Sequence, residues 1–255
     1  MLSVCSFSEQ AIIDFCEVTL DHNVVHDPAY MKSQSKKAVV PGMLILSKAI
    51  GLAEEIIYKG ANTFQLYLNS MVGANEFLTI GYNMIAETPV KAEIVARNST
   101  DALRHRGNPS TIFKRDHDPQ FEYLGNRRHL ETDAAQVESF SEIVGLKGKP
   151  LGALLFSIAY ASHSLFRAIE KPVSRMEREI REYLSKDARN DKQSPFYQSI
   201  SIHLPDNIYV PQGGFPLDFL IHFERIKEGR TYSAQVICTQ NDRDIYFSKY
   251  VLTAI

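Results

Sequence analysis

"GMLILSKAIGLAEEIIY", residues 42–58, is apolar almost all round a helical projection before polar residues appear. A surface helix keeps one apolar stripe, so this pattern predicts a buried helix of about four turns that other structure must shield on every side. The next segments, "FQLYLNS" (64–70), "EFLTIGYNMIA" (76–86) and "VKAEIVARN" (90–98), alternate roughly and are rich in β-branched and aromatic residues, as strands are. A sheet curved around the helix would supply the shield. Upstream, "SFSEQAIIDFCEVTL" (6–20) has Ser6 and Glu9 at capping-box spacing. It then places Ile12, Phe15, Cys16 and Thr19 on one face of a short amphipathic helix.

This order of elements occurs twice. "TDAAQVESFSEIVGL" (132–146) predicts a second amphipathic helix, with Asp133 and Gln136 at capping-box spacing, and "LGALLFSIAYASHSLFRAI" (151–169) a second nearly all-apolar one. Strands are expected at 197–204, 215–226, 230–240 and 243–255. Phe15-Cys16-Glu17-Val18 aligns with Phe140-Ser141-Glu142-Ile143 at an offset of 125, and Gly42 to Ser47 aligns with Gly152 to Ser157 at an offset of 110. The second copy is therefore 15 residues shorter between its two helices: "GLKGKP" and the Leu151 that follows it stand where "LDHNVVHDPAYMKSQSKKAVVP" stood. A segment needed only as a connection would have an equivalent in both copies. Its presence in one copy suggests a task other than folding.

The fold class expected is α+β: two antiparallel sheets, each wrapping a long buried helix, joined edge to edge so that two exposed edges disappear. We assign residues 1–115 to the first unit, 116–131 to a linker and 132–255 to the second. Two polar stretches lie outside the repeat. Residues 104–129 are read as a last strand followed by the linker, and 171–195 as a loop with a short surface helix at 175–184. Both carry basic clusters that suit solvated faces or a phosphorylated carrier.

Composition narrows the function. The 255 residues are 44% hydrophobic with a net charge of −2 and interspersed signs, which gives no field for nucleic acid or an anionic membrane. The longest apolar stretches fall short of the roughly 20 residues that span a bilayer, and no signal-like N-terminus is expected. Three cysteines without CxxC spacing, Cys5, Cys16 and Cys238, fit reduced thiols and a cytoplasmic setting.

The segment present in one copy only contains Asp21-x-Asn23-x-x-His26, then Asp27-Pro28, then Gly42-Met43 at the start of the buried helix. A carboxylate and an imidazole five residues apart converge on one water if the chain turns between them. Asn23 has both donor and acceptor capacity to brace the turn. The N–H of Gly42 is unpaired within its helix and lies at the positive end of the helix dipole. Structural readings stand beside these: Asp21 and Asn23 as Asx-turn residues, His26 as a turn residue, His163 as a core or pocket-lining histidine. No metal site is expected, because no second His or Cys cluster stands nearby.

Together these residues resemble the hydratase motif of the MaoC-like, (R)-specific enoyl-CoA hydratase family, and the repeated element order resembles its double hotdog form over nearly the whole chain. The resemblance implies hydration of 2-enoyl thioesters, or dehydration of 3-hydroxyacyl thioesters, carried on coenzyme A or an acyl carrier protein in fatty-acid or polyketide-type metabolism, without a cofactor. It implies Asp21 and His26 as the acid/base pair, Asn23, Met43 and Ser47 as supporting residues, and the Gly42 N–H as donor to the enolate oxygen. Departures are Leu20 for Gly, Val24 for Pro, Pro41 for His and Ile50 for Ser, and the motif lies in the N-terminal half, whereas eukaryotic double hotdogs carry it in the C-terminal half. A hotdog thioesterase and a non-catalytic acyl-binding module are the alternatives, and a homodimer of double hotdogs is left open. The shortened second copy leaves room for long or rigid acyl chains.

Overall fold

The computed structural model describes residues 2–52, 54–58, 63–67, 71–87, 90–98, 110–114, 126–186, 195–205, 209–226 and 231–254. Residues 68–70 of the first expected strand, most of 99–125, and 187–194 lie outside them. The first half runs β1 (Leu2–Cys5), α1 (Glu9–Thr19), a 3-10 turn (Val24–His26), α2 (Pro28–Ser33), α3 (Gly42–Leu52), α4 (Glu54–Tyr58), β2 (Thr63–Tyr67), β3 (Leu78–Glu87), β4 (Val90–Asn98) and β5 (Ser110–Lys114). The second runs β6 (Asn126–Leu130), α5 (Ala134–Ile143), α6 (Pro150–Glu170), α7 (Arg175–Lys186), β7 (Pro195–His203), β8 (Leu217–Arg225), β9 (Thr231–Gln240) and β10 (Arg243–Ala254).

Among the described residues, ten strands form one antiparallel sheet in the order β1-β3-β4-β5-β2-β7-β10-β9-β8-β6. Read from either end, that order visits equivalent strands of the two copies, so a pseudo-twofold axis runs through the β2–β7 seam. At the seam Thr63 pairs with His203, and the threonine hydroxyl lies 3.0 Å from His203 Nδ1 in a buried contact. The same axis brings Phe15 and Phe140, equivalent residues 125 apart in sequence, into contact at 5.7 Å between ring centroids.

Two readings of the sequence need correction here. Residues 126–130, expected in the linker, form β6 and pair with β8, because β6 is the second copy's counterpart of β1. The strand β1 itself is too short for its four residues to show alternation. Residues 175–186 are not simply a solvated helix: Glu177 is fully buried and accepts from Asn126, Arg128 and the Val173 and Ser174 amides, pinning α7 to the β6 edge.

Helix ends explain why the elements stop where they do. Asp133 and Gln136 form the expected capping box on α5. On α1 the cap is Ser8, not Ser6, with its hydroxyl accepting from the Ala11 N–H. Both α1 and α5 then end in the same left-handed turn. Leu20 (φ 54°) stands where Gly145 (φ 77°) stands in the second copy, and Asp21 N→Cys16 O (3.0 Å) matches Leu146 N→Ser141 O (2.6 Å), the six-to-one bond of a Schellman motif. The offset of 125 seen in sequence is thus an offset in structure, and the position equivalent to Asp21 is Leu146.

The core lies between helices and sheet. α6 is buried on nearly every side and packs against β6, β8 and β9, while α3 packs against β3, β4 and α6. No helix among the described residues is long and apolar enough to cross a membrane.

Candidate active site

The segment that interrupts the repeat folds as a chain of local caps. The Asn23 amide donates to Asp21 Oδ1 at 3.1 Å, the Val25 amide to Asn23 Oδ1 at 3.3 Å, and the Ala29 and Tyr30 amides to Asp27 Oδ1 at 2.8 and 3.3 Å. Short carboxylate and amide side chains favour such turns over continued helix. The caps start the 3-10 turn at Val24 and the short helix α2 at Pro28. The Asx-turn reading of Asp21 and Asn23 is therefore correct as far as it goes. It occupies only one oxygen of Asp21.

The other oxygen faces His26. Asp21 Oδ2 lies 3.7 Å from His26 Nε2, with the two side chains 6% and 11% exposed, so neither looks into bulk solvent. On the far side of the ring, Nδ1 sits 2.7 Å from the Val39 carbonyl oxygen. A carbonyl can only accept, so Nδ1 carries a proton toward Val39, and Nε2 is the ring nitrogen turned toward Asp21. Val39 is itself fixed by donating to the Val25 carbonyl at 2.8 Å and bridging to Gly73. Three residues after Val39, α3 begins at Gly42.

The opening of α3 leaves its first donors free. Leu44 and Ile45 both donate to the Pro41 carbonyl, and among the described residues no hydrogen bond from the Gly42 N–H is found. Gly152 is equivalent in sequence only. It lies third in α6, its N–H donates to Lys149 O at 3.0 Å, and a Cβ there would fall 2.2 Å from the Ser141 hydroxyl. Glycine at 152 thus serves close packing of α5 on α6. Met43, Ser47 and Ile50 are buried in α3, and no hydrogen bond joins Ser47 to Asp21 or His26 among the described residues.

The second half reaches the same loop through His163 on α6. Its Nδ1 lies 3.0 Å from the Leu20 carbonyl oxygen. Its ring stacks on Tyr160 at 5.6 Å, Tyr160 on Phe156 at 5.0 Å, and Phe156 meets Phe140 edge-on at 5.6 Å, while His22 closes the column at 6.3 Å. Burial holds His163 below the usual histidine range, with Arg167 and His22 adding to the effect and the Leu20 bond and Glu170 opposing it. Sequence reading placed His163 as core or pocket lining and had no signal for this contact, which spans 143 positions. Burial first, then Asp21 and Glu17, push the Cys16 thiol far up, which disfavours the thiolate. No group of three or more metal-ligating side chains is found among the described residues.

Solved structures share this architecture from end to end. A MaoC-like dehydratase from Phytophthora capsici aligns with 99% of this chain and 94% of its own at 11% identity and a TM-score of 0.59. A Mycobacterium tuberculosis protein, Rv0216, described as having a double hotdog fold, aligns over 100% and 96% at 10% identity and a TM-score of 0.57. The chain has a double hotdog fold. A provisionally assigned oleoyl thioesterase from Lactobacillus plantarum also aligns, over 100% of this chain and 96% of its own, at 8% identity and a TM-score of 0.55. No family model matches the sequence, and neither does any curated protein.

The first carboxylate within residues 42–58 is Glu54, which opens α4 rather than lying on α3. It is held by Lys149 at 2.6 Å, at the far end from Gly42. Lys37 pairs with Glu76 at 3.6 Å.

Proposed function

We propose that this protein hydrates 2-enoyl thioesters and dehydrates (R)-3-hydroxyacyl thioesters, with Asp21 and His26 as the acid/base couple. The observation that carries the reading is the sheltered 3.7 Å approach of Asp21 Oδ2 to His26 Nε2, with the opposite face of the imidazole anchored on Val39. That gap is too long for a direct hydrogen bond, yet an oxygen about 2.8 Å from each atom fits between them. A water or a 3-hydroxyl group placed there meets both groups at once. In dehydration the couple takes the C2 proton, the C3–O bond breaks, and the proton leaves on the departing oxygen as water. The couple thereby ends in the protonation state in which it began.

Charge builds on the thioester oxygen as C2 loses its proton, and the free Gly42 N–H at the positive end of α3 is the donor we assign to it. Such a donor typically contributes about 10²–10³ in rate. Asn23 acts through the turn, holding the Asp21 carboxylate by its backbone amide. We assign the lining for the acyl chain to the apolar faces of α3, α6 and the strands they pack against, with the short "GLKGKP" connection as the reason to expect a long one to be accepted. The carrier is coenzyme A or an acyl carrier protein, and three free cysteines fit a cytoplasmic setting. The MaoC-like dehydratase neighbours suit this reading.

Loss of enoyl absorbance with crotonyl and longer-chain thioesters tests it. Asp21→Asn and His26→Ala are each expected to lower kcat by about 10²–10⁴ without loss of folding. Turnover should extend beyond four-carbon chains. Absence of turnover at every chain length, with thioester still bound, would make the protein a non-catalytic acyl-binding module. Release of free thiol would make it a thioesterase.

A further inference from the structure

We propose that His163, on the buried helix of the motif-free half, is a positioning residue for Asp21. The role of Asp21 rests on the hydratase reading above; what His163 holds rests on geometry alone. The peptide unit between Leu20 and Asp21 is planar, so its carbonyl and its amide move together. Its amide end donates to Cys16 O at 3.0 Å, and its carbonyl end accepts from His163 Nδ1 at 3.0 Å. Both ends of the plane are pinned, and the Asp21 Cα is attached to it. The carboxylate then has one oxygen tied to the Asn23 amide and the other turned to His26.

This plane needs holding. Leu20 sits at φ 54°, a left-handed conformation that glycine adopts freely and that crowds the Cβ of a leucine. In the second copy Gly145 makes the same turn without that crowding, and the residue after it, Leu146, has no chemistry to aim. His163 is well suited to the task because it is itself fixed. Its neighbours Ser162 and Ser164 are buried on α6, and its ring lies between Tyr160 and His22. A rigid helix of one copy thus reaches across to lock the strained turn of the other.

The test compares His163→Asn, whose side-chain amide can donate from near the position of Nδ1, with His163→Phe, which keeps a stacking ring and removes the donor. With crotonyl thioester, His163→Phe should lower kcat on the order of 10- to 100-fold with little change in KM, since small misplacement of a catalytic group is that costly. His163→Asn should restore most of the loss. Hydrogen exchange at the Asp21 amide should quicken about tenfold in the Phe variant and little in the Asn variant. If the Phe variant does not fold, His163→Gln, whose donor is displaced toward the Nε2 position, takes its place. Unchanged Asp21 exchange and unchanged kcat in the Phe variant, or in the Gln variant where that replaces it, overturn the positioning role. Absence of turnover in the unaltered protein overturns the hydratase reading instead, and the exchange measurement then decides the positioning role alone.

Discussion

Asp21 gives its two oxygens different tasks, one to the backbone turn and one to His26, and this division lets a loop residue be both structural and reactive. His163 has a comparable double character that acid should expose. Burial, chiefly, holds its folded-state pKa below the ordinary 6.5, so the unfolded chain takes up a proton at this site first. Its contribution to stability is therefore complete above pH 6.5 and falls as pH drops from there toward the folded value. Thermal melts between pH 5 and pH 8 should show the unaltered protein losing more stability on acidification than His163→Asn, which has nothing to titrate at that position. At this scale Asp21, Asn23 and His26 were legible because they lie within six residues of each other and a turn suffices to bring them together. The clamp on Leu20 was not legible, since its partner is contributed by the other copy and only the assembled core sets the two side by side.

Among the elements, glycines that look equivalent in sequence separate by position in their helices. Gly42 opens α3, whereas Gly152 lies third in α6 against Ser141. Gly152→Ala should destabilise the fold by about 1–3 kcal/mol through overpacking against α5. A calorimetric scan would read this as a midpoint lowered by several degrees. Long elements were read well from their pattern: α6 and β4 fall within a residue of expectation, and the capping box on α5 is real because Asp133 and Gln136 can satisfy each other's backbone amides. Short ones were not. "SFSE" offers two serines to one glutamate, and spacing alone chose the wrong one; α2 exists because Asp27 caps it, in a stretch whose Asp-Pro reads equally well as a turn.

At the level of the whole molecule, the seam between β2 and β7 makes one sheet of two. Cutting the chain between residues 115 and 125 would leave Thr63–Tyr67 on one fragment and Pro195–His203 on the other as open edges. Each fragment alone should aggregate or self-pair, and co-expression should restore a soluble one-to-one complex, which gel filtration would detect. The palindromic strand order was foreseeable from the repeat, while its outer strands β1 and β6 emerged only from pairing. Covalent joining of the copies has a further consequence. In a dimer of identical chains, symmetry forces any substitution to alter both pockets at once. Here a substitution alters one side only, so one copy could discard its reactive loop and lend a histidine to its sibling. Such a division of labour between twins is closed to any symmetric assembly.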